Sequence, residues 1–332
     1  MRKNRLLKGV KMFFTGLLVF LFIISMTGLI YQTAATEADR QNYPPPGNLI
    51  NVGGFKMHIG CFGNGSPTVI LEALSGGFSS YWAFIQPEVA KQVRVCAYDR
   101  AGFGWSESDP EPESPQRTAQ ILHALLTNAG IEGPYVLVGH SKGGLYVRQF
   151  AELFPQEVAG LVLLDSAHPD QFQRHPDWLQ GDTSMLLRWM PLIKALLRLG
   201  VGHAYFALGG EADFPALPTR QHAEIASAWS SVRYWQSQEA SMRGAERIFQ
   251  QSQSLGSLGD VPLMVISRGT DLDGGWGELQ DELAALSTNS VHMMVEDSTH
   301  VSLIFNPDHA QVVSQAILQV VGSVQTGKRL NP

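Results

Sequence analysis

Cysteine is scarce in this chain, two in 332 residues, which excludes a disulfide-framed scaffold and a thiolate metal cluster. Internal repeats and low-complexity tracts are missing as well, so the chain is neither a solenoid nor a disordered tether. Acidic residues are absent before Glu37, whereas Arg2, Lys3, Arg5, Lys8 and Lys11 crowd the N-terminus. Past residue 11 the balance is 19 basic against 30 acidic residues. A body with that negative balance lacks the electrostatic footprint that holds phosphate backbones, which argues against a nucleic-acid partner. What is present, 44% hydrophobic residues with 16% charged, is ordinary globular stock with enough apolar material for a large core.

Residues 12–31 carry no charge. As a helix rising about 1.5 Å per residue they span roughly 30 Å, the thickness of a bilayer's hydrocarbon. Five positive residues before this run favour an N-terminus kept in the cytoplasm, with everything downstream outside. The alternative is a signal peptide, cleaved near Thr33-Ala34-Ala35, that releases a secreted protein. Residues 1–31 are therefore expected to be a tail and membrane helix, and 32–46, ending in Pro44-Pro45-Pro46, a short stiff stalk.

Beyond the stalk, short Val- and Ile-rich runs alternate with helical patterns, which predicts a mostly parallel sheet covered by helices on both faces. Strands are expected at 48–52, 55–61, 68–73, 93–99, 134–139, 159–165, 261–267 and 290–296, with helices clearest at 115–129, 143–154, 278–287 and 307–322. Ninety-five residues separate Asp165 from Val261 and carry four of the seven tryptophans. So long an excursion is expected to be a helical cap, 166–258, inserted into a core of 47–165 and 259–325.

The segment Gly139-His140-Ser141-Lys142-Gly143 lies where an apolar strand runs into a helix. A serine at such a corner takes a strained backbone, and the glycines remove the Cβ atoms that would collide there. Ser141 is the candidate nucleophile; its duller role would be a helix N-cap. A serine hydroxyl needs a base and a group that orients the base. His300, just past the last strand, is the candidate base. The acid is one of three carboxylates at the same sheet edge, Asp165, Asp271 or Asp273, and the chain order serine, acid, histidine favours Asp271. The amide of Lys142 and one from Leu74-Ser75-Gly76-Gly77, with Ser75 favoured over Leu74, are the candidate oxyanion donors. Metal ligation by the His-Pro-Asp repeats at 168–170 and 175–177 is not favoured, since proline beside each histidine fits loop geometry equally well.

Four segments together carry a family resemblance: residues 68–73, Asp99-Arg100-Ala101-Gly102-Phe103-Gly104-Trp105-Ser106, Gly139-His140-Ser141-Lys142-Gly143-Gly144 and Ser298-Thr299-His300. Residues 48–322 thereby resemble the α/β-hydrolase superfamily, in particular its cap-bearing serine hydrolases. The resemblance implies an eight-stranded, mostly parallel sheet, no cofactor, and small-molecule substrates. Serine at the elbow sets the chain apart from the epoxide hydrolases and haloalkane dehalogenases of that superfamily, which place aspartate there. The family's strand order would also set Cys61 beside Cys96, where a disulfide can form outside the cytoplasm.

In the cap, residues 185–199 form an apolar helical stretch interrupted at Pro191, with Arg188, Lys194 and Arg198 gathered within about 120° of a helical wheel. This stretch either packs on the core and lines an acyl-sized pocket or dips into the membrane interface. The leading expectation is a membrane-anchored serine esterase acting on a lipophilic ester. A second is an amide or peptide hydrolase of the iminopeptidase type, which needs a cap carboxylate such as Glu211, Asp213, Glu224 or Glu239 to hold the substrate ammonium. A third is a non-catalytic binding protein on the same fold. Lys142 is expected to meet solvent, a cap carboxylate, or the pocket, where it would favour anionic substrates.

Overall fold

The computed structural model describes residues 2–175, 182–210, 214, 216–272 and 275–331. Eight strands form one sheet: β1 Asn48–Asn51, β2 Lys56–Phe62, β3 Thr68–Glu72, β4 Val95–Tyr98, β5 Tyr135–His140, β6 Val158–Leu164, β7 Leu263–Arg268 and β8 Ser290–Val295, in the order β1-β2-β4-β3-β5-β6-β7-β8. β1 and β2 pair antiparallel, as do β2 and β4, and every later pair is parallel. Because both faces of a parallel sheet are covered, its central strands read as unbroken apolar runs. β3 and β5 are buried at every residue.

Helices α1 Arg2–Asn42, α2 Ile85–Val89, α3 Pro115–Asn128 and α4 Gly143–Leu153 precede β6. α3 shows how the sequence sets a boundary. Ser114 Oγ accepts the Arg117 amide at 3.2 Å, Pro115 occupies the first turn, and Ile121, Leu122, Leu125 and Leu126 turn one face into the core. Between β6 and β7 the described residues fold into α5 Gln171–Arg174, α6 Asp182–Arg198, α7 Val201–Ala207, α8 Thr219–Trp229, α9 Val232–Arg243 and α10 Ala245–Ser252. The chain ends with α11 Trp276–Ala284, α12 Ser302–Phe305 and α13 Pro307–Thr326. All eight expected strands and the four clearest helices are present, with ends shifted by a few residues.

The long excursion lies over the carboxyl edge of the sheet, held by α9. Arg233 donates to the carbonyls of Gly104 and Ser106, and the Tyr234 hydroxyl and Gln238 crowd Gly76.

The expected stalk is a correction. α1 does not stop at Tyr31 but continues to Asn42, since 32–42 is rich in good helix formers and proline first appears at Pro44. Its polar end is docked, not free. Gln32 Nε2 donates to the Ser230 carbonyl at 3.2 Å, and the His203 ring lies between Gln32 Oε1 and Asp39 Oδ2, 2.9 Å from each. Trp105 Nε1 reaches the Tyr43 carbonyl at 2.9 Å.

The two cysteines meet as expected. Cys61 and Cys96 are register partners on β2 and β4 and form a disulfide.

Candidate active site

Ser141 follows β5 directly and takes φ 57°, a left-handed conformation that a residue with a Cβ adopts only under constraint. The corner is held by its own backbone: the Ser141 amide donates to the Leu164 carbonyl at 3.0 Å, and the Ser141 carbonyl accepts from Ala167 at 2.9 Å and Gly144 at 3.0 Å. No room is left for side chains on either side. A Cβ on Gly139 would lie 2.7 Å from the Gly143 carbonyl oxygen, and one on Gly143 would lie 2.8 Å from that of Glu72. The same bonds tie the elbow to the end of β6, where the next residue is Asp165.

Asp165 also has a positive φ, 39°, and its carboxylate is fully enclosed. Trp276 Nε1 donates to Oδ1 at 2.7 Å and the Arg268 amide reaches the same oxygen at 3.2 Å. Arg268 Nη1 donates to Oδ2 at 2.8 Å, and His300 Nδ1 lies 2.6 Å from Oδ2. Burial alone would raise this carboxyl; the His300 hydrogen bond and the Arg268 charge overcome it and hold it well below the usual carboxylate range. An ionised acceptor at Oδ2 fixes the imidazole with its proton on Nδ1 and its Nε2 able to accept one.

Here the structure corrects the expected acid. Asp271, three residues beyond the end of β7, engages its neighbourhood through its main-chain carbonyl, which accepts from Arg268 Nη2 at 2.9 Å. The carboxylate beside His300 is that of Asp165. Asp273 lies outside the described residues.

Ser141 and His300 line one cavity of about 500 Å³, together with Ser75 and Lys142, under α5, α9 and α10. The Ala167, Phe172, Met242, Phe249 and Trp276 side chains make much of its wall apolar. Among the described residues no protein acceptor takes the amide proton of Ser75 or of Lys142. The loop carrying Ser75 is anchored from below, since Arg100 donates to the carbonyls of Ala73 and Leu74 at 2.5 and 2.6 Å and pairs with Glu72.

The Lys142 side chain does not meet solvent. It is buried, bonds Ser241 of α9 and lies 3.3 Å from Glu113 Oε2. Glu113, from the loop before α3, also accepts the Tyr146 hydroxyl at 2.7 Å. Burial works against its charge, yet Lys142 and Arg100 outweigh burial and bring the carboxyl down to about 2. Burial likewise pulls the Lys142 ammonium down from its ordinary value.

The sequence reading missed two supports. His140, buried and kept neutral by its burial and by the neighbouring His300, places Nε2 3.1 Å from the His300 carbonyl and its ring 4.7 Å from the His300 ring. Arg268, whose guanidinium lies 4.3 Å from the Trp276 ring centre, braces Asp165. Its position at the end of β7, at the level of Asp165, was the available signal.

With a strained serine after β5 and a histidine after β8 on one cavity, and an enclosed carboxylate after β6 bonded to that histidine, the comparison with known proteins is decisive. The family model for the α/β-hydrolase fold matches residues 67–307. The chain belongs to this family. Among curated relatives, an uncharacterised protein of Schizosaccharomyces pombe is 27% identical over 291 residues, covering 77% of this chain and 52% of that protein. The chain spans about half the length of the curated relatives it matches. Among solved α/β-hydrolase structures, a thermophilic esterase from Thermogutta terrifontis aligns with TM-score 0.58 and 21% identity, covering 81% of this chain and 94% of that one. The Cif epoxide hydrolase from Acinetobacter nosocomialis aligns with TM-score 0.68 and 17% identity, covering 88% and 96%. At such identities these neighbours establish the shared fold alone.

Proposed function

We propose that this chain is a membrane-anchored serine hydrolase that cleaves carboxylic esters through an acyl-enzyme on Ser141. One observation carries the reading: the strained Ser141 shares a cavity with His300, whose Nδ1 is hydrogen-bonded to the enclosed, ionised Asp165. In this mechanism His300 Nε2 takes the Ser141 proton as Oγ attacks the ester carbonyl. The oxyanion is met by the amides of Lys142 and Ser75. His300 then gives the proton to the leaving alkoxide, and a water, deprotonated by His300, releases the acid and restores Ser141. Asp165 stays ionised and orients the ring. The chemistry requires no metal or cofactor.

The apolar cavity wall favours a lipophilic acyl group. An ammonium-anchoring amide hydrolase is less well supported by the described cap carboxylates. Glu224 is bonded to Ser80 and Arg220, Glu239 to Lys194 and Arg243, and neither lines the cavity. Glu211 and Asp213 lie outside the described residues. The charge-free run in α1 favours membrane association, and the Cys61–Cys96 disulfide favours a catalytic body on the oxidising side.

A fluorophosphonate probe tests the reading. Wild type should be labelled, and Ser141→Ala, with unchanged circular dichroism, should not; an unlabelled wild type defeats it and leaves a binding protein on a hydrolase fold. A p-nitrophenyl ester series of rising chain length, run beside proline amides, separates esterase from amide hydrolase.

A further inference from the structure

Two consecutive cap helices present apolar side chains to the outside, and their arrangement is ordered. On α6 the exposed side chains Met185, Trp189, Leu192 and Leu196 follow one another at spacings of four, three and four. At about 100° per residue they fall within about 60° around the helix axis. α7 and the residue after it add Val201, Tyr205 and Leu208, the last 88% exposed. The other face of α6 is spent on the protein: Met190 and Leu197 are buried, and Lys194 pairs with Glu239 of α9. An apolar ridge of this size on a protein surface marks an interaction site.

The position of α1 says what covers it. The backbone of Leu199, between α6 and α7, rests directly on Gly28, where a Cβ would come within 2.7 Å of the Leu199 carbonyl oxygen. A Cβ on Gly200 would likewise come within 2.5 Å of the Tyr31 ring. Gly28 and Tyr31 belong to the last turn of the charge-free run 12–31. The junction of α6 and α7 therefore sits at the depth at which α1 leaves the bilayer. No spacer lifts the body away, because α1 is unbroken to Asn42 and fastened to His203 and Ser230. Arg188 is exposed on α6 about 40° around the axis from the apolar ridge, where a long cationic side chain reaches lipid phosphates while its stem lies along hydrocarbon.

We propose that the α6–α7 ridge is a second membrane contact, immersed in the headgroup and upper acyl region of the same leaflet from which α1 emerges. Its occupant is lipid. α9, which carries Lys194's partner Glu239, also carries Ser241 and Met242 on the Ser141 cavity, so the membrane-facing helix is one layer removed from the candidate catalytic chamber. The proposal rests on α1 spanning the bilayer and not on the hydrolase chemistry.

Both native cysteines are in the disulfide, so single thiols can be added to the full-length chain. Leu192→Cys and Met185→Cys probe the ridge, Phe22→Cys the span, and Thr326→Cys the exposed far end of α13. Each variant is labelled with an environment-sensitive fluorophore and reconstituted in phosphatidylcholine vesicles containing lipids with nitroxides both near the acyl carbonyls, at the depth proposed for the ridge, and near the chain ends, at the depth of residue 22. The proposal expects blue-shifted emission and loss of most of it at residues 22, 185 and 192, with little change at 326. Quenching at 22 combined with 326-like behaviour at 185 and 192 overturns the ridge contact and leaves the anchor standing. A ridge label shielded from aqueous iodide yet untouched by lipid nitroxide points to a protein partner and overturns the lipid assignment. An unquenched label at 22 removes the anchor and the ridge contact together. Fluorophosphonate labelling of the same samples reports separately on the hydrolase reading.

Discussion

Two buried charge clusters flank Ser141, and they use the same chemistry to opposite ends. On the β6–β8 side Asp165 is saturated by Trp276, Arg268 and His300, and one member, the imidazole, remains on the cavity wall. On the α3–α4 side Glu113, Lys142, Tyr146 and Ser241 satisfy one another, with Arg100 nearby and Glu72 pushed up to about 7 by its burial. An enclosed ion pair by itself is weak evidence for function, because its attraction is largely consumed by desolvation. Both clusters touch the cavity, through His300 and through Lys142, and what separates them is how those groups are used: the Lys142 ammonium is taken up by Ser241 and Glu113, whereas Asp165 engages only the Nδ1 side of the His300 ring. On the proposed reading the first cluster serves the chemistry, while the second ties a core helix, a loop and α9 together.

The largest expected effect breaks the first cluster. Asp165→Asn removes the ionised acceptor that fixes the His300 tautomer, and kcat for ester hydrolysis should fall about ten-thousandfold. Asp271→Asn should stay within a few-fold of wild type; the reverse ranking would return the acid role to Asp271. Next comes Glu113→Gln, which strands the Lys142 ammonium. Thermal or urea unfolding should show a loss of about 3–5 kcal/mol, with fluorophosphonate labelling retained in the folded fraction.

A pH series sharpens this second case. The folded Glu113 carboxyl is held down at about 2, below its ordinary unfolded value of about 4.3. The stability gap between wild type and Glu113→Gln should therefore be full above about pH 5, shrink on acidification past 4.3, and vanish below about 2. A gap that instead grew on acidification would contradict the pairing. Removing the disulfide with Cys61→Ala and Cys96→Ala should cost about 2–4 kcal/mol, read as a lower melting temperature. It should leave the ratio of activities toward short and long esters unchanged, because β2 and β4 lie away from the Ser141 cavity.

The fold was legible because its strands announce themselves. Tyr135-Val136-Leu137-Val138 and Leu161-Val162-Leu163-Leu164 are too short and too apolar for anything but covered parallel strands, and Ser114-Pro115 marks α3 by cap chemistry. Ser141 and His300 could be nominated as candidates for the same reason, being attached to recognisable strand ends. The carboxylate that lies beside His300 could not. Asp165 and Asp271 both fall between Ser141 and His300 in the chain, so the chain order used above to favour Asp271 does not in fact discriminate between them. The choice lies in side-chain direction, set by φ 39° at Asp165 and by the Trp276 and Arg268 donors that converge on it. Glu113 was hidden in Pro110-Glu111-Pro112-Glu113, a stretch that reads as solvated loop, because nothing in it reveals a lysine 29 residues away. The stalk was misread by letting Pro44-Pro45-Pro46 speak for the whole of 32–46: Ala34, Ala35 and Ala38 among Glu37, Arg40 and Gln41 carry α1 onward to Asn42.

That unbroken α1 has a kinetic consequence. On the proposed anchoring, a body clasped through His203 to α1 does not tumble but slides and spins about the membrane normal. Its encounters with a lipophilic compound are then governed by how many such molecules occupy each unit of leaflet area, and diluting the aqueous phase at fixed membrane content should leave turnover unaltered.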